Sequence, residues 1–142
     1  MGHIDWPVVS PRDQARRAQT KALLDAGKLH SGADFYHAAF IFQHGDSPAD
    51  FLLGHTLAVV AAARGRADAT WIAAATLDRY LQSIGQNQIY GTQFLTPKGK
   101  PVTQEPYDRS LVSDALRSAL GVPPVSAQEK ERQMFEQEMP AQ

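Results

Sequence analysis

Apolar residues recur at helical spacing over the first 85 residues, and short stretches of serine, aspartate, proline and glycine interrupt them. Ser10 and Pro11 are the residue types that start a helix, and Gly27 is the type that ends one. The same punctuation recurs along this part of the chain. It predicts three further helices that start near Ser31, Ser47 and Asp68 and end at Gly45, Gly65 and Gly85.

The pattern changes after Gly91. Two short segments, 93–96 and 101–104, flank Pro97-Lys98-Gly99-Lys100, which is typical of a β-hairpin with a glycine-containing turn. A two-stranded ribbon is only marginally stable in water, so we expect this one to lie on the helices.

The last part of the chain predicts two more helices. The first starts at Asp108 and ends at Gly121. Ser126 with Glu129 has the spacing of a capping box, which starts a final charged helix. Alanine runs in the third and fourth helices indicate close helix packing. The predicted fold is therefore mainly α, an antiparallel helical bundle of repeat-like helical hairpins with a short β-hairpin after the fourth helix.

Composition adds limits to this picture. The chain has 142 residues, 43% of them hydrophobic, which fits one soluble globular domain over residues 1–142. Its 14 Lys and Arg against 15 Asp and Glu give no electrostatic reason to expect nucleic acid. No run approaches the roughly 18 apolar residues that a membrane span needs, so no membrane partner is predicted. We expect residues 1–9 and 136–142 to be flexible.

The N-terminal residues lack the basic and apolar regions of a signal peptide, which predicts a cytoplasmic protein. The absence of cysteine excludes disulfides, thiolate metal sites and a cysteine nucleophile. Neither a phosphate-binding loop nor a serine-hydrolase elbow is present, and we predict no cofactor. The sequence gives no signal for the oligomeric state.

Residues 78–93 carry a dense group of polar side chains next to an apolar helix. A glutamine offers one acceptor oxygen and two amide donors, which suits recognition of amides, sugars or bases. Gly91 allows a close backbone approach or a positive φ angle. We expect a hydrogen-bonding pocket with these ligand-binding residues: Gln43, Arg79, Gln88, Tyr90, Thr92 and Gln93.

His44 and Asp78 are the candidate catalytic residues. His44 ends the second helix, where the helix dipole stabilises a cation, and Asp78 shares an inward-facing stripe with Ala74 and Ala75. Alternate helices of an up-down bundle are parallel, so both residues and the loop after Gly85 should lie near the same end. In this hypothesis His44 is the base and Asp78 orients it.

Histidine spacing does not indicate a metal site. His37 and His44 lie on one face of the second helix but about 10 Å apart along its axis, too far for one ion. His55 lies among apolar residues and is interpreted as a core histidine. We predict no metal; a site built from His44, His55 and Asp78 is the alternative that the spacing permits.

Several short motifs occur in a fixed order between residues 34 and 124. The chain resembles a bacterial family of unknown function with the pattern QHxD, DR, GxxQxYGTQ and LG[LV]P, matched here by Gln43-His44-Gly45-Asp46, Asp78-Arg79, the segment 85–93 and Leu120-Gly121-Val122-Pro123. The resemblance implies a shared site and supplies no reaction.

We favour a small binding or interaction domain for a small polar ligand or peptide. The alternative is a small enzyme with hydrolase- or transferase-like acid–base chemistry at His44 and Asp78. A third hypothesis is a purely structural polar network. We also expect Asp78 and Arg79 to be buried, each with a hydrogen-bond partner beyond its neighbour, because an unpaired buried charge costs several kcal/mol.

Overall fold

In the computed structural model, which describes residues 6–138 with side chains from residue 12 onward, helices form most of the chain. The predicted mainly α class is confirmed. No helix within the described residues is both long and apolar enough to cross a membrane. The helices are α1 (Trp6–Asp25), α2 (Gly32–Gln43), α3 (Pro48–Ala63), α4 (Ala69–Ser83), α5 (Asp114–Ala119) and α6 (Val125–Glu138).

The predicted start signals of α2 and α3 are confirmed. The Ser31 hydroxyl accepts a hydrogen bond from the N–H of Asp34 at 3.0 Å, and the Asp34 carboxylate accepts one from the N–H of Ser31 at 3.1 Å. This reciprocal pair is a capping box. The Ser47 hydroxyl caps α3 by accepting the N–H of Asp50 at 3.2 Å, and Pro48 occupies its first turn, where the missing N–H has no cost.

Other boundaries differ from the prediction. Helix α1 begins at Trp6 rather than near Ser10, so residues 6–9 of the segment predicted to be flexible are helical. Residues 136–138 likewise belong to α6. The rest of the two predicted flexible ends, 1–5 and 139–142, lies outside the described residues.

The predicted β-hairpin is reduced to one antiparallel bridge, and the described residues contain no β-strand. Leu95 and Thr103 exchange two backbone hydrogen bonds, of 2.7 and 2.9 Å. Proline at 97 and at 101 removes two ladder donors. The backbone groups of Val102 turn to α6 instead, where its N–H binds Glu136 and its C=O binds Arg132.

The two C-terminal helices also differ from the prediction: α5 starts later, and α6 starts slightly earlier. The Asp108 carboxylate accepts backbone N–H groups of the following turn, which keeps this segment out of a helix. The cap is Ser113, and α5 has six residues. Helix α6 begins at Val125, so Ser126 lies inside it. Glu129, predicted as the capping partner, binds Arg132 at 2.7 Å.

Helices α2, α3 and α4 form the core. Helix α3 packs antiparallel against α2 and also against α4. Gly54, in the middle of α3, brings the three together: a Cβ built there would lie 3.2 Å from the Thr76 methyl group and 3.3 Å from the Cβ of Phe42. His55 of α3 meets the carbonyl of Ala73 at 2.8 Å. Because both neighbours run opposite to α3, α2 and α4 end at the same end of the bundle. The central core residues are Phe35, Ala38, Ala39, Phe42, Leu57, Ala58, Ala61, Ala69, Ile72 and Ala75.

Helix α1 is attached to this end of the bundle by a buried arginine. The Arg17 guanidinium donates to the carbonyl of His44 at 2.8 Å and to the carboxylate of Asp46 at 3.2 Å. It also lies 3.5 Å from the carboxylate of Asp50. Arg17 therefore fixes the α2–α3 turn and has its positive charge balanced by two acidic groups.

Candidate functional site

Asp78 lies on the buried side of α4 and is fully shielded from solvent. One carboxylate oxygen accepts the N–H groups of Ile89 and Tyr90 at 2.8 and 3.0 Å. The other accepts the N–H and the hydroxyl of Thr92 at 3.0 and 2.7 Å. The loop after Gly85 thus folds back over α4, as predicted. The burial and partnering of Asp78 are confirmed, with the loop as its partner.

The side chain of Gln88 stabilises the same loop from its buried side. Its side chain is fully buried, donates to the carbonyls of Gln93 and Gln104 at 2.9 and 2.6 Å, and accepts the N–H of Gln93 at 3.0 Å. Its backbone pairs with the segment 106–108. The side-chain amide of Gln93 donates a hydrogen bond to the Thr92 hydroxyl at 3.1 Å. These amides hold the loop to the chain that follows it.

The backbone carbonyl of Tyr90 accepts hydrogen bonds from a second group of side chains. It accepts the hydroxyl of Tyr107 at 3.1 Å, the Nε of Arg117 at 3.1 Å and the amide of Gln128 at 2.9 Å. Gln104 donates to the carbonyl of Gly91 at 2.9 Å and to the Gln128 side chain at 3.1 Å. We call the whole set the loop network; its members are Asp78, Gln88, Thr92, Gln104, Tyr107, Arg117 and Gln128.

Arg117 is an unusually buried member, with 1% of its surface exposed. Beyond Tyr90 it donates to the carbonyls of Val112 at 2.6 Å, Ile89 at 3.3 Å and Arg109 at 3.3 Å. Its charge is paired with Asp114 at 3.2 Å. The guanidinium therefore joins three segments of the chain, and its hydrogen-bonding capacity is used within the fold.

Sequence reasoning did not place Gln104, Arg117 or Gln128 at the site. Gln128 lies in a charged segment, 125–138, that has the composition of a solvated helix. Nothing local distinguishes a buried glutamine there from an exposed one.

The tyrosines of the site are suited to remain neutral. Burial raises the pKa of Tyr90, and the nearby Asp78 carboxylate raises it further. Burial also raises the pKa of Tyr107, although Arg117 and Gln128 act in the opposite direction. Both groups are consequently neutral phenols, and the Tyr107 hydroxyl donates within the site.

His44 is exposed at the C-terminal cap of α2, where its backbone carbonyl accepts a hydrogen bond from Arg17. Among the described residues, no hydrogen bond joins its imidazole to Asp78, whose two oxygens each already accept two donors. The predicted base–carboxylate contact is therefore not formed. Catalysis by His44 stays a prediction.

Arg79, next to Asp78 on α4, is half-buried. Its guanidinium carbon lies 5.1 Å from the centre of the Phe51 ring, and burial lowers its pKa. Within the described part of the chain it has no hydrogen bond or ion pair. The expected hydrogen-bond partner of Arg79 is therefore not found among the described residues, which leave its half-buried charge unmatched.

Gln43 is a second polar residue for which the described part of the chain supplies no side-chain partner. It is 8% exposed, and its buried Oε1 has no hydrogen bond among the described residues. On α2, Gln43 follows Ala39 by one helical turn. On α3, Phe51 precedes Gly54 by three residues. On α4, Arg79 follows Thr76 by three residues. Ala39, Gly54 and Thr76 meet in one layer of the bundle. Helical spacing therefore indicates that Gln43 lies in the next layer toward its end, with Phe51 and Arg79, which contact each other. We call this the end layer.

No group of three acidic or histidine side chains within residues 12–138 is close enough to hold a metal ion. The chain matches no protein-family model, no curated protein and no solved structure. The resemblance to the QHxD family therefore stays a prediction, and the function has to be inferred from the geometry of the site itself.

Proposed function

We propose that the protein is a small helical binding domain whose ligand contacts Gln43 and Arg79 in the end layer. The observation that carries this proposal is a half-buried guanidinium on α4 and a buried amide oxygen on α2, each without a partner in the described chain. They are complementary groups, a set of donors and an acceptor. A polar ligand would satisfy both.

The loop network provides a comparison for the end layer. Every buried polar group of the loop network has a hydrogen-bond partner, as is usual in folded proteins. An unmatched buried polar group costs about 1–3 kcal/mol, and more when it is charged. Sites that bind ligands retain such groups because their partner arrives with the ligand. The end layer has this character, and the loop network does not.

The other predicted ligand-binding residues have a supporting role in this proposal. Gln88, Thr92 and Gln93 bind within the chain and hold the loop. Tyr90 binds Asp78 through its N–H and shields the carboxylate. His44 follows Gln43 directly and is exposed at the rim of the end layer, where its imidazole can contact a ligand. The third hypothesis, a structural network, thus describes the loop side of the site.

The first test needs no ligand. Replacing Arg79 by Met, or Gln43 by Leu, is expected to leave the free energy of unfolding within about 1 kcal/mol of the parent or to raise it, because no hydrogen bond is lost. The control is Arg117→Met, which removes a matched buried arginine and should destabilise strongly. Urea unfolding measures all three. A loss of more than about 2 kcal/mol in Arg79→Met would mean that Arg79 is structural.

The second test measures binding directly. Thermal unfolding is followed with acetate, N-acetylglycine, N-acetylglycinamide and inorganic phosphate, each as a separate titration. At a hundredfold excess over its Kd, a ligand stabilises the folded state by about 2.7 kcal/mol. At least one probe is expected to raise the Tm of the parent and to have no effect on Arg79→Met. If no probe acts, or if the effect survives in Arg79→Met, the proposal is wrong.

A further inference from the structure

We infer that the loop network contains a binding site for a primary carboxamide, and that Gln128 of α6 occupies this site as an internal ligand, which a carboxamide of another molecule replaces. This inference goes beyond the proposed function and does not depend on the end layer. It follows from three observations: the contacts of the Gln128 amide, the further contacts of the groups around it, and the exposed position of the rest of α6.

The contacts of the Gln128 side chain match all the hydrogen-bonding groups of a primary carboxamide. Its Oε1 accepts the Tyr107 hydroxyl at 2.9 Å and the side-chain amide of Gln104 at 3.1 Å. Its NH₂ group donates to the carbonyls of Tyr90 at 2.9 Å and of Pro123 at 2.8 Å. A carboxamide has two acceptor positions and two N–H donors. The surrounding groups, which we call the amide site, therefore use each of them once.

The amide site discriminates against close analogues of a carboxamide. A carboxylate would place an oxygen against the carbonyls of Tyr90 and Pro123, where an acceptor meets acceptors. An N-methylamide would lack one of the two donors, and its methyl group would replace a hydrogen-bonded proton. Analogues that leave buried hydrogen-bonding groups unpaired are rejected strongly. The preferred ligand is thus an unsubstituted carboxamide, as in a glutamine or asparagine side chain.

Three of the four groups around the amide site have a second contact that does not involve α6. The Tyr107 hydroxyl also lies 3.1 Å from the Tyr90 carbonyl, and the Gln104 amide also donates to the carbonyl of Gly91 at 2.9 Å. The Tyr90 carbonyl also accepts the Nε of Arg117 at 3.1 Å. Gly91 supplies the space, because a Cβ on it would overlap the carboxamide oxygen. These contacts preorganise the site.

The rest of α6 is held by groups that solvent can replace. In the described helix, Val125–Glu138, Gln128 is the one buried residue, whereas α2, α3 and α4 each bury at least five. Further along the helix, Arg132 and Glu136 bind the backbone of Val102, and neither side chain is buried. Removing the carboxamide from the amide site therefore releases the main buried contact of α6.

The free chain keeps its own amide site occupied. A ligand in solution binds only to the small fraction of molecules in which α6 has moved away, and its apparent affinity is reduced by that fraction. The loop network is consequently fully hydrogen-bonded and still contains a site, because the ligand is a side chain of the same protein.

Emptying the amide site by Gln128→Ala provides the first test. The substitution removes a group with the structure of acetamide. The full chain is titrated with acetamide, acetate and N-methylacetamide and followed by NMR and thermal unfolding. Acetamide is expected to bind the variant at least tenfold more tightly than the parent and to raise the Tm of the variant, and the other two probes to give no saturable shift. Equal binding of acetate, or no binding of acetamide to the folded variant, would overturn the inference.

Two further variants connect acetamide binding to the amide site. Gln133→Ala removes an exposed amide from the same helix and should bind acetamide as weakly as the parent does. Adding Arg79→Met to Gln128→Ala should leave acetamide binding unchanged, because Arg79 belongs to the end layer. Loss of acetamide binding in this double variant would mean that the amide site and the end layer act as one site, which contradicts the inference.

The second test uses the parent chain and does not depend on the folding of a variant. N-acetylglutamine methylamide carries the carboxamide on a peptide backbone, and the glutamate compound is its control. Backbone amide exchange is measured by NMR with and without each compound. The glutamine compound is expected to accelerate exchange in α6 at least threefold while residues 89–92 stay protected, and the glutamate compound to have no effect. Unchanged exchange in α6 would show that Gln128 is a fixed part of the fold and not an exchangeable ligand.

Discussion

Replacing Gly91 by alanine is expected to lower the free energy of unfolding by roughly 3–5 kcal/mol, which is a large part of the stability of a domain this size. Gly91 has a φ angle of +87°, which an L-residue adopts only with strain. A Cβ on Gly91 would also overlap the Gln128 Oε1 and the Tyr107 hydroxyl, which are hydrogen-bonded to each other. Neither can withdraw without breaking the loop network.

Gly85 is the matched control for this change. It has a similar φ angle of +77°, but nothing lies within 4 Å of the position that a Cβ would take. Gly85→Ala should therefore show the backbone cost alone, about 1–2 kcal/mol. Thermal and urea unfolding of the two variants separate strain from overlap. Equal losses would mean that the loop network does not surround Gly91 as described.

The second large effect is expected for Asp78→Asn. The substitution puts an NH₂ group where one carboxylate oxygen accepts two donors, so two hydrogen bonds are lost and donors face donors. Hydrogen bonds to a charged group contribute about 1.5–3 kcal/mol each, which predicts a loss of roughly 3–5 kcal/mol in urea unfolding. The loss should appear locally as faster amide exchange at Ile89, Tyr90 and Thr92.

Thr92→Val provides the graded comparison. It removes the hydroxyl that donates to Asp78 and accepts from the Gln93 side-chain amide, while the N–H of residue 92 remains in place. Its loss should be about 1–2 kcal/mol, clearly smaller than that of Asp78→Asn. A catalytic or ligand-binding carboxylate would behave differently, because its removal commonly leaves stability unchanged or raises it. An Asp78→Asn variant as stable as the parent would therefore argue against the loop anchor.

The helical part of the fold was predictable because its signals are local. Ser31 with Asp34 and Ser47 with Pro48 act within one turn, and the structure places both helix starts at these residues. The common end of α2 and α4 followed from up-down connectivity alone. The hairpin prediction failed because it weighed local β propensity and not the competition from α6, whose Arg132 and Glu136 take the backbone groups of residue 102.

The candidate site was predictable in position and less so in role. The density of polar residues at 78–93 correctly indicated a hydrogen-bonded region around Asp78. Their division into groups with and without hydrogen-bond partners depends on Gln104, Arg117 and Gln128, which are 26–50 residues further along the chain from Asp78. Such long-range partners have no periodic signal. Sequence alone therefore grouped Asp78 with His44 and Arg79, whereas the contacts separate them.

This separation has a consequence for how binding and folding are coupled. Asp78 and Arg79 are neighbours on α4, yet the first faces the loop and the second lies over Phe51. The loop network thus fixes the end of α4 that carries Arg79. Weakening the loop should loosen the site indirectly, so ligand binding has to be compared among variants at temperatures where each remains folded.

Hydrogen exchange of the glutamine side-chain amides, followed by NMR, tests most directly which polar groups of the site have hydrogen-bond partners. The NH₂ groups of Gln88, Gln104 and Gln128 are buried and hydrogen-bonded. They are predicted to exchange slowly, at rates close to that of global opening. The exposed amides of Gln86 and Gln133 should exchange at once. If the three buried amides exchange as fast as the exposed ones, the loop network is not formed in solution and the polar block 78–93 has to be reconsidered as an open pocket.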